Sequence, residues 1–194
     1  MSRYRTRSWR TYDPAGDAPL TLALSVRILG LDPGSRRTGF GVIECRGSEL
    51  RPITHGSLDV ADAPQAARLR RIFEGLQALM AEHAPAEVAV ERVFVSRNVE
   101  SALKLGQARG AALCAVPSGV PVFEYAPRAI KLAVVGSGAA EKFQVAHMVV
   151  TLLSLGERPR ADAADALAVA VCHAHTRRLQ VLAQQAGPRW SQAR

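Results

Sequence analysis

Arg27-Ile28-Leu29-Gly30-Leu31-Asp32-Pro33-Gly34 is a short apolar run that closes on an acid and a turn signal. Residues 27–31 suit a buried strand, and Asp-Pro-Gly is turn chemistry. Downstream, 38–45 and 49–58 read as two more strands, joined by a turn at Arg46-Gly47-Ser48. The period then changes. Leu69, Ile72, Phe73, Leu76, Leu79 and Met80 recur at three and four, an amphipathic helix with Arg68, Arg70 and Arg71 on its other faces, stopped by Pro85. Further on, 87–93 reads as a strand, 98–116 as a helix rich in small residues and 120–124 as a strand. Helices follow at 127–135, 141–154 and 162–181. The order β-β-β-α-β-α-β-α-α-α predicts an α/β fold, a mixed five-stranded sheet with helices on its faces.

Residues 1–25 differ. Arg3, Arg5, Arg7 and Arg10 alternate with other residues, and Pro14, Gly16 and Pro19 follow. The segment reads as a disordered basic arm or as an over-extended start of translation. The second reading is favoured, because a compact strand begins directly after it. The domain is expected over 26–180, with a flexible tail at 181–194. The 194 residues suit one substantial core. The 25 Lys and Arg against 17 Asp and Glu leave a formal charge of +8, which favours polyanionic partners, nucleic acid first. Cys45, Cys114 and Cys172 form no CxxC pair and are expected as reduced, buried thiols in a cytoplasm. No apolar run approaches the roughly 18 residues of a membrane helix, and no secretory signal is expected.

Chemistry concentrates in four acids. Asp32 and Glu91 each end an apolar strand; as parallel neighbours about 4.8 Å apart, those strands would bring both carboxylates to one site. Either acid alone is equally a turn residue or a helix cap. Asp162 and Asp165 share a helix face, where like charges repel. Asp162 as an N-cap, with Asp165 against the helix dipole, would account for the pair. It would not account for the almost wholly apolar 163–172, which implies a helix buried on most sides with its acids facing inward. Buried carboxylates call for a cation, and oxygen-only ligation suits Mg²⁺. Four carboxylates can hold two such ions, the arrangement that serves in-line phosphodiester displacement. His173, roughly 16 Å along the helix from Asp162, is too far to share a metal. An ordinary helix-end role is expected for His173 and His175.

Leu31-Asp32-Pro33-Gly34-Ser35-Arg36-Arg37-Thr38-Gly39-Phe40-Gly41-Val42-Ile43 resembles the opening motif of the RuvC crossover-junction endodeoxyribonucleases. Glu91-Arg92-Val93-Phe94, Ser101-Ala102-Leu103-Lys104-Leu105-Gly106-Gln107-Ala108-Arg109-Gly110 and Ala161-Asp162-Ala163-Ala164-Asp165-Ala166-Leu167-Ala168 resemble later motifs of that family. So do Val135-Gly136, Glu141-Lys142 and His147-Met148-Val149, in order over about 26–180. The resemblance implies an RNase H-like fold, a homodimer, and symmetric nicking of Holliday junctions in recombination and repair. It implies two Mg²⁺ per site, with Mn²⁺ as a substitute, held by the acidic tetrad Asp32, Glu91, Asp162 and Asp165. Some relatives carry His where Asp162 stands; this chain keeps the carboxylate. The resemblance also suggests that Phe94 wedges against an unstacked base, and that Arg97, Lys131 and Lys142 meet phosphates. Four-way junction DNA and branch-migration motors of the RuvA and RuvB type are the implied partners. Residues 1–25 inherit no role.

Two other classes compete. Asp32-x-Gly34 with Thr38-Gly39 resembles the first phosphate loop of actin-like ATP-binding domains, but that fold needs a second domain and a second glycine-rich hairpin, which the sequence lacks. A non-catalytic nucleic-acid module on the same fold predicts missing carboxylates, and all four are present.

Overall fold

A computed structural model describes residues 25–92 and 98–186. The elements follow the expected order: β1 (Val26–Asp32), β2 (Arg37–Arg46), β3 (Glu49–Asp59), α1 (Gln65–His83), β4 (Glu87–Glu91), α2 (Val99–Cys114), β5 (Val122–Tyr125), α3 (Pro127–Val135), α4 (Lys142–Leu152) and α5 (Ala161–Ala186). The basic arm and the end of the tail lie outside the described residues. So do Phe94 and Arg97. Helix α5 runs to residue 186, past the expected end at 181, because nothing before Gly187-Pro188 breaks it.

The five strands form one sheet in the order β3-β2-β1-β4-β5. β1, β2 and β3 are antiparallel neighbours, whereas β1–β4 and β4–β5 are parallel. The register pairs Leu31 with Val90, so Asp32 and Glu91 are the next residues outward on adjacent strands.

Strand alternation sorts the core into two layers. Leu29, Leu31, Val42, Val88 and Val90 point to one face, where Ile72, Leu76 and Met80 of α1 and Ala108 and Ala112 of α2 cover them. Ile28, Ile43 and Ala89 point to the other face, under α3, α4 and the apolar length of α5. By the same alternation Gly30, Asp32, Glu87 and Glu91 belong to the α5 face. Helix α5 therefore lies across the side of the sheet to which both strand-end acids project.

Its approach is unusually close. A Cβ on Gly30 would overlap the Ala166 carbonyl, and one on Gly39 would overlap the Asp162 carbonyl. Glycine at these positions brings the helix backbone down onto β1 and β2. A buried network fixes α5 laterally. His173 Nε2 lies 2.7 Å from Glu87 Oε2, and its Nδ1 lies 2.6 Å from the Tyr125 hydroxyl. Arg177 Nε lies 2.9 and 3.0 Å from the two Glu87 oxygens. His173 is fully buried and mid-helix, which corrects the helix-end role expected for it. His175 bonds the Ala133 carbonyl through Nδ1 at 3.0 Å. Cys45 and Cys172 are buried as expected, but Cys114 is exposed. Among the described residues no helix is long and apolar enough to cross a membrane.

Candidate active site

Asp32 ends β1 because the Pro33-Gly34 turn prevents the strand from continuing. A Cβ on Gly34 would overlap the Arg37 carbonyl, so the turn needs glycine. Thr38, fully buried, reaches back to the Gly34 carbonyl at 3.4 Å. Arg68 anchors the same loop: its guanidinium donates to the Ala63, Ala61 and Ser35 carbonyls at 2.6, 2.7 and 3.5 Å. Arg68 lies off the apolar stripe of α1, as expected, but is half-buried on these carbonyls rather than solvated.

Glu91 ends β4 beside Asp32. Arg109 of α2 holds its backbone, donating to the Glu91 carbonyl at 2.6 Å and to Glu124 Oε1 at 2.5 Å. In sequence Arg109 stands only as one residue of the 101–110 motif, with no role assigned, among the small residues Ala108, Gly110, Ala111 and Ala112.

Asp162 and Asp165 occupy the first turns of α5. Residue 160, rather than Asp162, precedes the helix, and its carbonyl accepts the Ala164 amide at 2.9 Å. Asp162 is therefore not the N-cap. Residues 163, 164 and 166–174 are buried, as the apolar run demands. The two acids instead reach the rim, with the Asp165 side chain 26% exposed. The inward-facing acids expected from the apolar run are thus half-buried acids at the mouth of a site.

The four acids share one electrostatic environment. Burial raises Asp32 from 3.8 to about 7, with repulsion from Asp165, Glu91 and Asp162 adding to it and Lys142 opposing. Burial and then Asp165 raise Glu91, against the pull of Lys142 and Lys131. Lys142 Nζ meets Asp165 Oδ2 at 3.0 Å, and that hydrogen bond and charge hold the ammonium above its usual range. A cavity of about 220 Å³ opens among Glu91, Lys131, Lys142 and Asp165. Lys131 and Lys142 thus line the same opening as Glu91 and Asp165. Among the described residues no three His, Cys, Asp or Glu side chains are gathered tightly enough to enclose an ion as they stand. Larger openings flank the acids: about 440 Å³ beside Asp162, lined by Gly34, Ser35, Arg36 and Arg37, and about 310 Å³ beside Asp165, lined by Phe143, Arg158 and Pro159.

A five-stranded mixed sheet with carboxylates at the ends of its central parallel strands, faced by acids on a final helix, defines an RNase H-like nuclease. The family model described as "Crossover junction endodeoxyribonuclease RuvC" matches residues 28–173. The chain belongs to the RuvC family. It is 56% identical over 165 residues to the crossover junction endodeoxyribonuclease RuvC of Halorhodospira halophila, covering 84% of this chain and 98% of that one. Among solved structures it is similar to Thermus thermophilus RuvC, with a TM-score of 0.73 and 37% identity, over 80% of this chain and 97% of that chain. It is also similar to the T. thermophilus RuvC in complex with Holliday junction substrate, at 34% identity and the same TM-score, 0.73, over the same shares, 80% and 97%.

Proposed function

We propose that this chain resolves four-way DNA junctions by paired, symmetric nicks, with Asp32, Glu91, Asp162 and Asp165 as its catalytic carboxylates. One observation carries the reading: acids from β1, β4 and α5 converge at one rim, where burial and mutual repulsion lift Asp32 to about 7. Crowded, desolvated carboxylates are short of positive charge. The donor set is all oxygen and fits Mg²⁺, with Mn²⁺ as a substitute, and the four acids are the residues that would hold two ions. When bound at such a site, the ions supply activation of the attacking water and stabilisation of the leaving oxygen.

The chain's own groups do the rest. Arg109 holds Glu91 at its strand end, and the Asp32 turn is pinned by Thr38 and Arg68. Lys131 and Lys142 meet phosphate oxygens as point charges; the Asp165 contact keeps Lys142 charged and near its target. Phe94 and Arg97, close after Glu91 in sequence, take a base at the branch point and a phosphate.

A homodimer supplies the second nick. Val99 and Leu103 on α2 are 72% and 64% exposed. With Gly106 and Gly110 they make a stripe at helical spacing that a two-fold partner would cover. Under this reading a branch-migration motor of the RuvA and RuvB type delivers the junction, in the cytoplasm. The test is a panel of four-way junctions, flaps, duplexes and RNA–DNA hybrids with Mg²⁺. The expected result is nicking of the junction at symmetry-related phosphates. Equal cutting of plain duplex, or full activity in excess chelator, would refute the reading.

A further inference from the structure

We propose that Phe143, Arg158 and the shallow slot between them form a subsite for one unpaired deoxynucleotide of the strand being cut, next to the scissile phosphate. The base stacks on Phe143 and a flanking phosphate meets Arg158. The subsite deepens the nuclease reading above and rests on it.

Phe143 is 64% exposed, an unusual place for a large apolar ring. The backbone that carries it is held in place. Glu141 accepts the backbone amide of the third helical residue, and its own amide donates to Gln144 Oε1 at 2.7 Å, which locks the first turn of α4. The preceding residue, Lys142, bonds Asp165, so the ring stands one residue from the carboxylate site. The opening between them is about 310 Å³, near the lower end of small-ligand sites. Its floor is Ala146, Ala161, Ala164 and Pro159, small and flat side chains over which a planar base can slide. Its charged side chains are Lys142 and Arg158 against Asp165 alone. An aromatic face, a cationic rim and an apolar floor are what a single-stranded nucleotide requires. A lone ring is too small a patch to dock a protein.

The experiment places 2-aminopurine at each position flanking the scissile phosphate of a four-way junction. Fluorescence is read with the full chain in Ca²⁺, and cleavage is read separately in Mg²⁺. Wild type and Phe143→Trp should quench the probe at one position, while Phe143→Ala and Phe143→Leu should not. Phe143→Ala should lose roughly tenfold or more in kcat/KM, with an unchanged melting temperature because the ring is exposed. Phe143→Trp should cut like wild type. Arg158→Ala should shallow the salt dependence of binding by about one counterion. Leu179→Ala, which removes another exposed side chain far along α5, should change nothing. Quenching that survives in Phe143→Ala, or equal cutting by Phe143→Ala and wild type, overturns the subsite and leaves the nuclease reading standing. A wild-type chain that nicks no branched DNA refutes the nuclease reading itself, and the subsite with it.

Discussion

Between 3.8 and about 7, the folded chain keeps on Asp32 a proton that the unfolded chain releases. Native Asp32 thus binds more protons than unfolded Asp32 in that window, so metal-free stability falls as pH rises through it. The advantage is fully present below the ordinary carboxylate value and is lost as pH passes the folded one. Glu91, also raised, adds to the slope in the same direction. Asp32→Asn should therefore raise the melting temperature of the metal-free protein at pH 8, by roughly 2–4 °C per kcal/mol relieved, and leave it little changed at pH 4. The same variant should bind a junction normally and cut it about a thousandfold more slowly, the scale of losing roughly 4 kcal/mol of transition-state stabilisation. Calorimetry across pH checks the first expectation and single-turnover cleavage the second; a flat pH profile would show that the carboxylates do not strain the fold. The four acids were legible in sequence because each breaks an apolar run, where an acid is costly unless it is used. Arg68 and Arg109 were not, since an arginine on a helix reads as solvated until a carbonyl is found beneath it.

At the scale of elements, the contact of α5 with the sheet sets where half the acids stand. Gly39→Ala would drive a methyl group into the Asp162 carbonyl. The first turn of α5 must lift, and cleavage should fall at least tenfold, together with an overpacking cost of about 1–3 kcal/mol. Cleavage and thermal melting measured on the same preparation check this. At the far end of the contact, burial alone would raise Glu87, but hydrogen bonds from His173 and Arg177 outweigh it and hold its carboxyl low. Glu87→Ala removes the shared partner of both residues. It should cost about 3–5 kcal/mol, while folded protein assayed well below its melting point should still cut. Element order was readable from periodicity and turn chemistry, whereas the parallel pairing of β1 with β4 entered the sequence reading only as a condition and is supplied by the sheet register. The network was not readable, because Glu87 and His173 lie 86 residues apart and each looks ordinary in its own segment.

At the scale of the whole molecule, charge and exposed surface act together. A net +8 favours polyanions, so junction affinity should fall steeply with salt. The α2 stripe makes a separate claim. Leu103→Asp should leave the melting transition nearly intact, since the side chain is 64% exposed, but should give monomers by sedimentation. It should also replace paired nicks with single, uncoordinated ones. A variant that stays dimeric would move the interface elsewhere. Periodicity alone did not show that stripe, because the small residues of α2 suit burial on either side; only packing of Ala108 and Ala112 against the sheet shows which side is left over.

The closeness of α5 to β1 has a consequence for synthesis of the chain. Asp32 leaves the ribosome more than a hundred residues before Asp165. N-terminal segments collapse first as a chain emerges, so the sheet can form its antiparallel half while the second pair of acids is still unmade. A nascent chain, or a product of premature termination before Ala161, carries Asp32 and Glu91 but lacks Asp162 and Asp165. If the four acids act together as proposed, a chain that stops before Ala161 should fail to nick a junction, because the first strand and the last described helix each supply part of one site.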